Sequence, residues 1–201
     1  MDPDVSNTRY ELGVTGGVID AWRSVFARQR AFAEHAFQQL DTEGFFWSPG
    51  AGLNSVAVIA RHLSGNLKSR WTEFLTTDGE KEWRDRDAEF EPPAVSAESR
   101  ASIESDWTSG WDLLDSALSG LASHDLDREV TIRGARFAVH AAVSRQLDHY
   151  AFHVGQINVI ARLYVGSANW QWFTIPPGGT RAFNESMKSR HKRGRVVQDK
   201  R

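Results

Sequence analysis

The chain has 201 residues, 40% of them hydrophobic and 25% charged, the proportions of an ordinary globular domain long enough to bury a substantial core. Its formal net charge of −2 gives no overall attraction for nucleic acid or an anionic membrane surface. With no cysteine, disulfides, thiolate metal sites and a cysteine nucleophile are excluded; a metal must be held by His, Asp, Glu or backbone oxygen, and thiol chemistry needs a thiol from outside.

The opening residues Met1-Asp-Pro-Asp-Val-Ser-Asn7 have neither the basic nor the apolar region of a signal peptide. No apolar run approaches the ~20 residues that span a bilayer. A cytoplasmic protein without a membrane segment is the expectation.

In chain order, the first helix is predicted over 15–40, capped by Thr15, with a stripe of Val18, Trp22, Val25, Phe32 and Ala36. Residues 43–53 contain Gly44, Pro49, Gly50 and Gly52 and read as a loop. The second helix is predicted over 54–75, capped by Asn54, with Val56, Ala60, Leu63, Leu67, Trp71 and Phe74 on one face. Residues 76–95 form a long charged connection with Trp83, Phe90 and the Pro92-Pro93 break, and irregular segments of that length in compact domains are often functional. The third helix, over 97–122, carries Ile103, Trp107, Trp111, Leu114, Leu118 and Leu121 behind a Ser96 cap. Residues 128–139 alternate β-branched and charged side chains around Gly134, the pattern of a small β-hairpin. The fourth helix, over 139–165, has a stripe of Val143, Leu147, Tyr150, Val154, Ile157 and Ala161.

Four amphipathic helices that cannot each bury a face alone predict an all-α, up-down four-helix bundle with the hairpin before its last helix. The bundle domain is expected over 1–186, with an ordered excursion at 169–179. Residues 187–201 are basic and read as a solvated, disordered tail rather than a nucleic-acid contact.

The chemistry-bearing pattern is His149-Tyr-Ala-Phe-His153 in the fourth helix. A spacing of four puts both rings on one face, about 6 Å apart along the axis, from which they can reach a common ion at about 2.0–2.1 Å. His62 is rotated roughly 120° from the stripe of the second helix, and His149 and His153 roughly 80–120° from theirs in the same sense. If the two helices are neighbours, the three rings can meet. The spacing alone serves equally for two histidines that only hydrogen-bond within a core. His35, His124, His140 and His191 have no partner at such spacing.

The stretch Asn54-Ser-Val-Ala-Val-Ile-Ala-Arg-His62-Leu-Ser-Gly-Asn66 resembles the first metal-ligand helix of the DinB-like superfamily of bacterial four-helix bundles. Gln146-Leu-Asp-His149-Tyr-Ala-Phe-His153-Val-Gly-Gln156 resembles its second metal motif, and Asp78-Gly-Glu-Lys-Glu-Trp83-Arg-Asp-Arg-Asp87 the loop of one uncharacterised branch. The resemblance runs from the first helix to about Phe183. It implies a homodimer that binds nickel, zinc or a similar ion through His62, His149 and His153. The resemblance also implies distant kinship with mycothiol-dependent maleylpyruvate isomerase, whose ligand at the position of His149 is a Glu; His149 would make the present site one charge more positive.

Three neutral imidazoles suit zinc, nickel, iron or copper. Asn66 and Gln156, one turn from the ligands, are placed to orient a ring or bound water. Arg70 and Arg145 lie near the same sides and suit an anionic substrate. The catalytic base is left unassigned: Glu73 lies about 16 Å along the axis from His62, and Asp148 points roughly 100° away from His149. Two functions follow. One is a metal-dependent transferase, isomerase or hydrolase acting on a small molecule, with an external low-molecular-weight thiol as co-reactant. The other is a non-catalytic, dimeric interaction protein stapled by its metal.

Overall fold

A computed structural model of the chain describes residues 16–198, with side chains through 189. These fall into two compact units, 16–170 and 171–198. The larger contains α1 (Val18–Phe37), α2 (Thr42–Phe46), α3 (Val56–Trp71), α4 (Ala97–Ser119), the antiparallel strands β1 (Glu129–Ile132) and β2 (Ala135–Ala138), and α5 (Val139–Val165). The smaller contains α6 (Thr180–Gln198). The chain is therefore mostly helical, with one small hairpin. No described helix is long and apolar enough to cross a membrane.

The Thr15 cap predicted for the first helix lies outside the described residues. The helix begins at Val18, which is 45% exposed, and its buried face is Trp22, Phe26, Ala33, Ala36 and Phe37. The first part of the expected loop at 43–53 is instead α2, started by Asp41, whose side chain accepts the Gly44 amide at 2.7 Å. A helix of five residues is too short to show a 3.6-residue period, which is why the sequence concealed it.

Ser55, rather than Asn54, caps α3 by accepting the Val58 amide at 3.2 Å. The helix stops at Trp71, four residues before the predicted end, because Thr72 is extended and Glu73 takes φ +50°. Ser96 caps α4 as predicted, accepting from Ser99. Arg133 and Gly134, at φ +55° and +73°, form the two-residue turn between β1 and β2, whose positive φ values match the twist of paired strands. The last predicted helix has the observed bounds of α5 and ends at Gly166, with φ +80°. α6 passes through residues 187–198, where the sequence suggested disorder; 199–201 lie outside the described residues.

Within the larger unit α3 packs against α4 and α5, and α1 against α5 and α4. Phe26 sits among Trp71, Trp111 and Tyr150 at ring separations of 6.2, 6.4 and 5.8 Å, and Trp107 joins through Trp111 at 5.4 Å. The tryptophan-rich composition thus serves an aromatic core, each ring contributing about 1.5–3 kcal/mol by burial. α3 is enclosed on nearly every side, so any polar group it carries must find a partner inside the protein.

Candidate metal centre

His62 comes from the middle of this enclosed helix and is 3% exposed. Its Nδ1 lies 2.8 Å from Glu89 Oε2. A carboxylate only accepts, so the ring proton sits on Nδ1 and the Nε2 lone pair faces the other way. Glu89 also takes a two-pronged grip from Arg84, with Nε and Nη2 each donating at 2.8 Å. Burial by itself pushes the Glu89 carboxyl up, but His62 and Arg84 together hold it below the usual carboxylate range.

The segment carrying Glu89 is fastened to α3. Arg61 donates from Nε and Nη2 to the Glu89 carbonyl at 3.0 and 2.8 Å. The Phe90 ring lies over His62 at 4.6 Å, shielding it from water. Gly65 makes the approach feasible, since a Cβ there would overlap Glu89 Oε1.

The i, i+4 spacing on α5 brings His149 and His153 together at 4.8 Å between ring centroids, and both rings face His62 at 5.5 and 5.0 Å. His62 Nε2 and His149 Nε2 are 3.4 Å apart. One ligand nitrogen from each histidine lies within 4.8 Å of the other two, a cluster able to hold a metal ion. Ligand distances of about 2.0–2.1 Å separate neighbouring donors in a tetrahedral shell by about 3.4 Å, so the closest pair already has the spacing of a shared ion. Burial first, then electrostatic interaction with His153, His62, Arg70 and Arg84, lowers His149 to about 3. Burial likewise lowers His153, against the opposing bond to Gln156. Both rings are neutral near pH 7 and keep lone pairs for a cation.

Gln156 Oε1 lies 2.8 Å from His153 Nδ1, leaving the far nitrogen of that ring toward the cluster. Asn66 Oδ1 accepts from Tyr150 Oη at 3.0 Å, and that oxygen accepts from Trp71 Nε1 at 3.0 Å. Arg70 is buried, donating to the Gly79 carbonyl and to Glu80 Oε2. Arg145 is exposed, its guanidinium 5.7 Å from the Phe137 ring centre. Asn66, Arg70, Arg145 and the three histidines line one cleft of about 430 Å³, together with Arg84, Arg86, Phe90 and Phe152. Glu89 and Arg84 were not among the site residues read from sequence; the signs were the length and charge of the connection that carries them and, for Arg84, its place in the 78–87 stretch.

The fold and site together describe a mostly helical protein with a three-histidine cluster able to hold a metal ion. The model of a family described as "Protein of unknown function (DUF1572)" matches residues 15–179, and the chain belongs to that family, which lies in the DinB-like clan. No curated protein and no solved structure matches the chain.

Proposed function

We propose that the chain is a metal-dependent enzyme acting on a small molecule, with one divalent ion held by His62, His149 and His153. The observation that carries this reading is the convergence of three ligand nitrogens, all within 4.8 Å of one another, on the wall of an open cleft. Structural sites are usually closed by four protein ligands, whereas three leave positions for substrate. The all-imidazole donor set suits nickel or zinc first and iron next.

An ion held there supplies a Lewis acid that acidifies water or an external thiol and polarises a carbonyl. The chain's own residues do the remainder. Glu89 holds the His62 proton on Nδ1 and aims Nε2 at the cluster. Gln156 does the same for His153. Burial keeps His149 unprotonated. The reaction class is transfer, isomerisation or hydrolysis, and a thiol co-reactant would come from solution because the chain has none.

In this reading α1, α3, α4 and α5 form an up-down four-helix bundle of the DinB-like kind, working in the cytoplasm as a homodimer. Their mutual contacts and the family's clan support the bundle. Val159 and Leu163, each 60% exposed and four residues apart on α5, offer an apolar face for the second copy.

Elemental analysis of purified protein tests the site. Wild type should carry close to one equivalent of metal and His149→Ala far less; equal contents would overturn the assignment. A bound ion without exchangeable water, and no turnover in a thiol-transfer screen, would favour the metal-stapled interaction protein instead.

A further inference from the structure

We propose that the cleft beside the histidines is a receptor for a small molecule bearing an oxyanion, a carboxylate or phosphate group, gripped by Arg145 and Arg86. This deepens the reading of the site as a metal-dependent enzyme and rests on it only for where chemistry takes place.

Five guanidinium groups line the cleft: Arg70 from α3, Arg84 and Arg86 from the connection to α4, Arg133 from the hairpin turn and Arg145 from α5. One carboxylate, Asp148, lines it with them. Two more, Glu80 and Glu89, pair with Arg70, Arg84 and Arg133. Five positive charges against these three and against Asp87, which pairs with Arg86, leave +1 in one cleft of a chain whose formal charge is −2. A solvated surface would scatter such charges, whereas here separate stretches of chain deliver them to one concave wall. Low-dielectric walls focus the field of that excess onto whatever enters.

The arginines divide by what already holds them. The Arg84 side chain is 2% exposed and fully occupied by Glu89 and Glu80. Arg70 and Arg133 share Glu80, and Arg70 Nε is buried with no partner. These three set the field. Among the described residues Arg86 pairs only with Asp87, a fully exposed carboxylate 3.8 Å away, and its guanidinium lies 5.0 Å from the Phe90 ring centre. Arg145 has no ion pair among the described residues and lies over Phe137. Stacking on an aromatic face positions a guanidinium while leaving its fork edge for a planar or tetrahedral oxyanion. The cleft's volume of about 430 Å³ suits a small molecule rather than a polymer, and Phe90 and Phe152 offer its carbon skeleton an apolar wall.

Calorimetric titration of zinc-loaded protein with inorganic phosphate, succinate and neutral succinamide tests the proposal. At least one anion should bind and the diamide should not, and the preference between phosphate and succinate identifies the group. Arg145→Gln and Arg86→Gln should each weaken the anion about tenfold or more, with metal content unchanged. Arg145→Lys should lose less, because it keeps the charge but not the fork. Both arginines are exposed, so circular dichroism should be unaltered. No anion binding at tens of millimolar, equal binding of succinamide, or unchanged affinity in both glutamine variants would overturn the proposal. Wild-type protein that takes up no metal yet still binds the anion would sink the metal reading and leave this one standing.

Discussion

The orientation of His62 turns on the Glu89 carboxylate, which arrives from 27 residues away. Glu89→Gln keeps the shape but removes the charge that pins the Nδ1 proton, and metal affinity should fall about 10–100-fold in competition with a chelator. Gly65→Ala should move affinity the same way without touching a ligand, because its added Cβ displaces Glu89 Oε1. Unchanged affinity in both variants would remove Glu89 from the account. His149 makes a second prediction. The unfolded chain takes up its proton near pH 6.5, whereas the folded chain resists until about 3, because of burial and then the neighbouring positive groups. The unfolded state therefore binds more protons between those values. The stabilisation is complete above about pH 6.5 and drains away as pH falls toward 3. Metal-free wild type should lose melting temperature from about pH 7 to about pH 4 more steeply than His149→Gln; parallel profiles would contradict the shift. The face shared by His149 and His153 was legible, since a spacing of four fixes it. Glu89 was not, because an irregular segment has no period. Asn66 marks the boundary: spacing put it on the His62 side but could not reveal Tyr150 as its partner.

Helix α4 packs tightly on α3 at Gly110, where a Cβ would sit 2.9 Å from Leu67 Cβ and 3.5 Å from the Ser64 carbonyl oxygen. In an isolated helix Gly→Ala gains about 1 kcal/mol, whereas overpacking a tight contact costs about 1–3 kcal/mol. The contact is backbone-adjacent on both sides and cannot swing away, so the cost should win. Gly110→Ala should be destabilised by up to about 2 kcal/mol in urea unfolding; a gain in stability would mean the helices separate freely. The bounds of α5 were readable because its stripe is long and Gly166 ends it. The ends of α1 and α3 were not. Val18 has an apolar side chain yet is 45% exposed, and α3 stops where Glu73 leaves helical dihedrals, which composition does not signal.

For the assembled molecule, the uncovered face of α5 predicts self-association. Sedimentation at micromolar concentration should give a dimer for wild type and a monomer for Leu163→Glu with unchanged helicity; a monomeric wild type removes the homodimer. The hairpin and the connection after α3 are also not independent excursions. Asp78 accepts from the amides of Glu80, Arg133 and Gly134 at 2.7 to 2.8 Å, and although burial works in the opposite direction these bonds bring its carboxyl down to about 2. Two-residue hairpin tips are ordinarily the places where a chain tolerates being re-spliced. Here the tip is knotted to a segment more than fifty residues upstream, and that segment carries Arg84 and Glu89. A circular permutant with new ends between Arg133 and Gly134 should therefore leave the helices standing yet bind metal poorly, whereas joining old and new ends elsewhere on the surface should not.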